Sequence, residues 1–105
     1  MQVFDKAHFD HMTGADRALQ REVIELFRAQ VDGWATSMRT DAHWRDAVHT
    51  IKGSARGIGL SALAAVCETA ERTPEGAAVD AALAPVRAAL ADALAALEQY
   101  AAAAA

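Results

Sequence analysis

The chain has one cysteine, two prolines, six glycines and only 6% aromatic residues among its 105 positions. A single cysteine excludes an internal disulfide framework and a multi-cysteine zinc site, and a lone thiol suits a reducing compartment. So little proline and glycine cannot punctuate a many-stranded sandwich or barrel. No apolar run is long enough to span a bilayer, and the uniform alanine stretch at the C-terminus is 5 residues. The opening Met1-Gln2-Val3-Phe4-Asp5 lacks a basic stretch leading into an apolar one, so no signal peptide is predicted. Positive charge is scarce as well: 10 Lys and Arg face 14 Asp and Glu, a net charge of −4 that argues against broad nucleic-acid binding. There is no repeat, no period-two alternation, and no P-loop or dinucleotide glycine pattern. What is left is one small helical domain over residues 1–105, expected in the cytoplasm.

What is present favours long helices. Hydrophobic residues make up 53% of the chain, and 28 positions are alanine. A short helix is predicted over 5–12 with Asp5 as N-cap, interrupted by Gly14. From 15 to 38 the residues Leu19, Val23, Leu26, Phe27, Val31, Trp34 and Met38 recur at spacings of three and four, an apolar stripe facing a core. The acids at 16, 22, 25 and 32 read as a solvated face. Asp41 can cap the next helix, 42–57, whose stripe is Trp44, Ala47, Val48, Ile51, Ala55 and Ile58, and Gly57 and Gly59 stop it. A third long segment, 61–72, carries Leu63, Val66, Cys67 and Ala70 and ends before Thr73-Pro74-Glu75-Gly76. The last, 77–103, places Val79, Leu83, Val86, Leu90, Ala93, Leu97 and Tyr100 along a heptad-like seam, with Pro85 predicting a kink or a later start. No single helix can bury its stripe alone. The expected fold is therefore all-α: an antiparallel four-helix bundle with a short N-terminal lid helix.

The stretch from Arg45 to Arg56 carries the chemistry. On a wheel of about 100° per residue its apolar stripe faces inward and His49 falls roughly 140° away, toward solvent. Arg45, Lys52 and Arg56 fall on the same flank, and Gly53 follows His49 by one turn. An exposed imidazole is a nucleophile near neutral pH, and cations beside it favour a group that brings negative charge. Glycine in a helix interior costs about 1 kcal/mol against alanine. On an outer face it returns no packing, but it lets a partner or a tetrahedral anion approach closely.

His49-Thr50-Ile51-Lys52-Gly53-Ser54, with Gly59 ten positions after the histidine, resembles the signature of histidine-containing phosphotransfer (HPt) domains. The likeness extends through Phe4-Asp5, the Leu19 to Phe27 stripe, Leu63, Cys67 and Glu71, and so covers nearly the whole chain. It departs at Ala70, where the family often has a larger aliphatic residue, and in the short loop after Arg72.

The resemblance implies a monomeric intermediate of a multistep two-component phosphorelay. It would shuttle a phosphoryl group between His49 and aspartates of response-regulator receiver domains, with a hybrid sensor histidine kinase as a further partner. His49 would be the phosphorylated residue, Lys52 would steady the phosphoryl oxygens, and Gly53 would keep the approach open. Glu71 would accept a hydrogen bond from the ring. Arg45, Arg56, Ser54 and Ile58 would meet the partner, with Leu60 as a further apolar contact. The chain would bind no cofactor of its own, and Mg²⁺ would belong to the receiver. No ATP-binding kinase segment is present. A domain cut from a larger kinase is disfavoured, since the chain reads as complete at both ends. The other reading is a helical docking module for a kinase or receiver that uses no phosphate chemistry.

His8, His11 and His43 have no spacing that would gather them on a metal. Cys67 belongs to a core stripe, as do Trp34 and Trp44.

Overall fold

The structure is a computed structural model that describes residues 1–40 and 43–104. Five helices follow in order: α1 (Lys6–Thr13), α2 (Arg17–Thr40), α3 (Trp44–Ile58), α4 (Ser61–Glu71) and α5 (Val79–Ala104). Helices α2 to α5 form the closed ring of an antiparallel bundle: α2 packs on α3, α3 on α4, α4 on α5, and α5 back on α2. Helix α1 crosses one end and touches α3. No helix among the described residues is long and apolar enough to cross a membrane.

Local chemistry sets the helix ends. Asp5 caps α1 by accepting a bond from the His8 amide at 3.0 Å, and Gly14 closes it in the left-handed region. Helix α2 starts two residues later than its apolar pattern predicts. Asp16 is the reason: its Oδ1 accepts from the amides of Ala18 (3.0 Å) and Leu19 (3.2 Å), so this acid, exposed as expected, caps the helix from the residue before it. The predicted cap Asp41 lies outside the described residues. Gly57 does not stop α3; it lies inside the last turn. Gly59 ends it, at φ 97°, where a side chain would also strike the Asp5 carbonyl at 3.0 Å. Helix α5 runs through Pro85 from a start at Val79.

The core corrects the reading of α2. Its buried line is Gln20, Ile24, Phe27, Trp34 and Met38, with Phe27 and Trp34 edge to face at 5.6 Å. Leu19 and Leu26, expected inside, are exposed at 41% and 60%. Burying Ile24 turns them out, because a residue two or five positions away lies roughly 140–200° round the helix. Val79 is likewise exposed, whereas Leu83, Val86, Leu90, Ala93 and Leu97 fill the seam of α5. Cys67, Trp34 and Trp44 are buried.

The lid is held by apolar and polar contacts together. Phe4, Phe9 and Tyr100 stack edge to face with centroids 5.4 to 5.9 Å apart. The Tyr100 hydroxyl donates to Asp10, which also accepts from Gln20 Nε2 at 2.8 Å, and Arg17 donates to Tyr100 at 2.8 Å. On the other side the His8 ring N–H donates to the Gly57 carbonyl at 3.1 Å, and the Asp5 amide donates to that of Gly59 at 2.8 Å. The lid thus braces the far end of the helix that carries His49.

Candidate functional site

The inward stripe Trp44, Ala47, Val48, Ile51, Ala55 and Ile58 locks the rotation of α3. That rotation presents His49 to solvent, its side chain 71% exposed. One ring nitrogen is tied down: Nδ1 lies 3.2 Å from Glu71 Oε2 on α4. The other carboxylate oxygen, Oε1, lies 2.7 Å from Lys52 Nζ. Lys52 comes one turn after His49 and leans onto the bundle, with 13% of its side chain exposed. The lysine beside it, and then the His49 ring, hold the Glu71 carboxyl below the usual carboxylate range against the opposing effect of partial burial. A carboxylate that stays ionised can only accept, so Nδ1 carries the proton in the neutral ring. The lone pair is therefore on Nε2, the nitrogen away from Glu71.

Gly53 lies on the exposed face one turn beyond His49, and a Cβ built on it meets nothing within 4 Å. Its value is therefore clearance for something arriving from outside. Beneath the site Cys67 is sealed in. Burial first, and the nearby Glu71 second, push its thiol up to about 12, so it cannot serve as a thiolate nucleophile at neutral pH.

The flanking cations do not form the free positive patch that the helical wheel predicts. Arg45 donates to the backbone carbonyls of Glu71 (2.7 Å) and Thr73, and its guanidinium stacks 4.4 Å over the Trp44 ring. It ties off the C-terminal end of α4, whose last carbonyls need donors. Arg56 is exposed but 3.7 Å from Glu68, which also pairs with Arg72 at 3.2 Å. The cations on this flank all lean toward α4. Ile58 and Leu60, expected to meet a partner, are core residues at 8% and 0% exposure, and Ser54 is half-buried.

The α2 side of α3 is different. Ser54, Gly57 and Ile58 line a shallow hollow of about 230 Å³ with Met12, Val23, Leu26, Phe27 and Gln30. Met12 is 50% exposed, and Leu19, Val23 and Leu26 share one face of α2. Sequence reasoning assigned these leucines to the core. The available signal was the width of the stripe, which carried more large apolar residues than one bundle face can bury.

Among the described residues no three His, Cys, Asp or Glu side chains gather as a metal site.

The matches to known proteins agree with this geometry. The family model for the Hpt domain matches residues 9–100. The crystal structure of the histidine phosphotransferase ShpA from Caulobacter crescentus superposes with a TM-score of 0.79 at 38% sequence identity, over 95% of this chain and 91% of that one. No curated protein matches the sequence. A bundle that turns one tethered imidazole to solvent, matched along nearly its whole length, belongs to the Hpt family, and its role is histidine phosphotransfer in a phosphorelay.

Proposed function

We propose that His49 is the phosphoryl carrier and that Nε2 is its reacting atom. The observation behind this reading is the tethered, exposed ring: Glu71 fixes Nδ1 and leaves the nucleophilic lone pair facing solvent. The Nε2 lone pair attacks phosphorus of an aspartyl phosphate on a receiver domain. The P–N bond forms as the P–O bond breaks, and the electron pair of that bond goes to the departing aspartate carboxylate. The reverse step returns the phosphoryl group to a second receiver. Such transfers depend on position and charge stabilisation. Lys52 supplies one positive charge beside the phosphoryl oxygens, and Gly53 supplies the clearance. The divalent cation belongs to the receiver, whose acidic pocket requires it, so the chain acts as a phosphocarrier. We place it in the cytoplasm as a monomer, between a hybrid sensor kinase and a response regulator.

The receiver's seat is the apolar face formed by Met12, Leu19, Val23 and Leu26, continuous through Ser54 and Gly57 with Gly53 and His49 on α3. A partner that brings its aspartate to Nε2 must cover the helix carrying the ring, and this neighbouring face leaves large apolar side chains in water. Arg56 then acts as a rim charge. Arg45 is half-buried and ties α3 to the end of α4, and Ile58 is a core residue at the edge of the hollow.

The test is phosphoryl transfer from a labelled receiver to the wild type, His49→Ala and His49→Gln. Only the wild type should take label. Label on either variant would overturn the assignment, and binding without label on the wild type would favour a docking module.

A further inference from the structure

We propose that Glu71 governs how readily the domain gives up its phosphoryl group, by keeping a proton on Nδ1 of the phosphorylated His49 ring. The proposal rests on the reading of His49 as the carrier and adds a second function to the residue that orients it. The key observation is the chemical type of the tether. An amide oxygen would fix the same tautomer. Here the acceptor is a carboxylate, with Oε2 3.2 Å from Nδ1 and Oε1 2.7 Å from Lys52 Nζ. A full negative charge therefore faces the ring, and Lys52 keeps it ionised.

Once phosphorus occupies Nε2, the ring has two protonation states. With a proton on Nδ1 it is a phosphoimidazolium cation; without one it is a neutral phosphoimidazole. Attack on phosphorus by an aspartate oxygen, or by water, breaks the P–N bond and returns the electron pair to Nε2. From the protonated ring the leaving group is neutral imidazole, its proton still on Nδ1. From the unprotonated ring it would be imidazolate, a far poorer leaving group. No proton is gained or lost at Nδ1 during transfer from the protonated ring, so the step balances as written. An opposite charge within about 4–6 Å favours the charged form of a titrating group. Glu71 thus favours the labile, transfer-competent form.

The other charged groups around the ring leave this role to Glu71. On α3, Lys52 is paired with Glu71 itself, Arg45 is held by backbone carbonyls of Glu71 and Thr73, and Asp46 faces His43 at 3.8 Å. On α4, Glu68 is shared by Arg56 and Arg72, and Cys67 stays a neutral thiol.

The experiment loads the intact domain with phosphoryl group from phosphoramidate and follows phosphohistidine loss by ³¹P NMR from about pH 5 to about pH 10, a range that spans ring titration. Wild type is compared with Glu71→Gln, which keeps size and hydrogen bonding but removes the charge. The expected result is a decay profile displaced to lower pH by about one unit in the variant. Decay should be about fivefold slower at the wild-type midpoint and approach about tenfold slower above it, with the acid plateau unchanged. Superimposable profiles overturn the proposal. So does a uniform change of rate at every pH, which is what a merely structural role would produce. A second measurement needs no variant: the ³¹P titration midpoint of the native phosphoprotein should lie above that of the same protein unfolded in urea, and an equal or lower native midpoint also overturns it. Wild type that takes no phosphoryl group on His49 defeats the carrier reading itself, a result distinguishable from either titration.

Discussion

At the scale of single residues, the site depends on what surrounds one imidazole. The ring needs exposure, a fixed tautomer and room, and these come from His49, Glu71 and Gly53 respectively. Gly53 gives the cleanest test, because the helix tolerates a side chain there. Gly53→Glu should fold as the wild type does, since a Cβ meets nothing within 4 Å. Transfer from a phosphorylated receiver should nonetheless fall at least tenfold, because bulk and negative charge would then stand one turn from Nε2. Circular dichroism and the transfer assay check the two halves; normal transfer would remove the clearance argument. Lys52→Ala should slow transfer as well, by about tenfold or more for a lost charge-assisted contact. Unchanged kinetics would mean the lysine serves only to hold Glu71.

At the scale of elements, α2 divides its apolar residues between two duties. Phe27 is 1% exposed and Leu26 60%, although they are neighbours in sequence. Phe27→Ala should cost about 3–5 kcal/mol of stability, the usual cost of emptying a core aromatic site. Leu26→Ala should stay within about 0.5 kcal/mol, as exposed substitutions do. Thermal or urea unfolding of the two variants tests the rotation of the helix directly. Leu26→Glu should keep the fold and weaken receiver binding by about tenfold, in line with loss of an apolar interface residue worth about 1.4 kcal/mol. Titration calorimetry with a receiver reads that change, and undiminished affinity would move the seat elsewhere. Helix α4 contributes differently. Its polar flank absorbs Arg45, Lys52 and Arg56, so this side of His49 is an ordered charge lattice.

At the scale of the whole molecule, two depressed carboxylates couple stability to acid. Glu71 is lowered chiefly by Lys52, and Asp10 chiefly by the Tyr100 hydroxyl, with Gln20 next. A group depressed in the folded state binds its proton more readily in the unfolded chain. Between the depressed and ordinary values the unfolded state therefore holds more protons, and stability rises with pH. The contribution is complete above the ordinary carboxylate range and is lost as pH falls through the depressed values. The melting temperature should accordingly be lower near pH 3 than near pH 6. Tyr100→Phe removes the main cause of the Asp10 depression and should narrow that difference while lowering the melting temperature at neutral pH. An unaltered acid difference in the variant would show that the lid network has no part in it.

Helix number, order and approximate ends were readable from spacing and caps, because period and end chemistry are local properties of the chain. Asp5, Gly14 and Gly59 are examples. His49, Lys52 and Gly53 were readable as a group, since helical geometry alone sets which residues share the outer flank of α3; Glu71, on α4, was legible only through the resemblance to the HPt family. Two things were not readable. One was which of several adjacent leucines in α2 turns inward: Leu19, Ile24, Leu26 and Phe27 are all apolar, and a wheel cannot choose between overlapping stripes until α3 and α5 fix the rotation. The other was the state of the cations. Arg45, Lys52 and Arg56 have the same formal charge in the sequence, but their partners are supplied by α4 and the residues just after it, from 12 to 28 residues away. Intrinsic periodicity and capping act within a few residues, so the chain's order of amino acids specifies its helices and which side chains, His49 among them, they turn outward. Burial and charge pairing act across helices, so only the packed bundle decides which apolar residues remain for a partner and which charges are already neutralised.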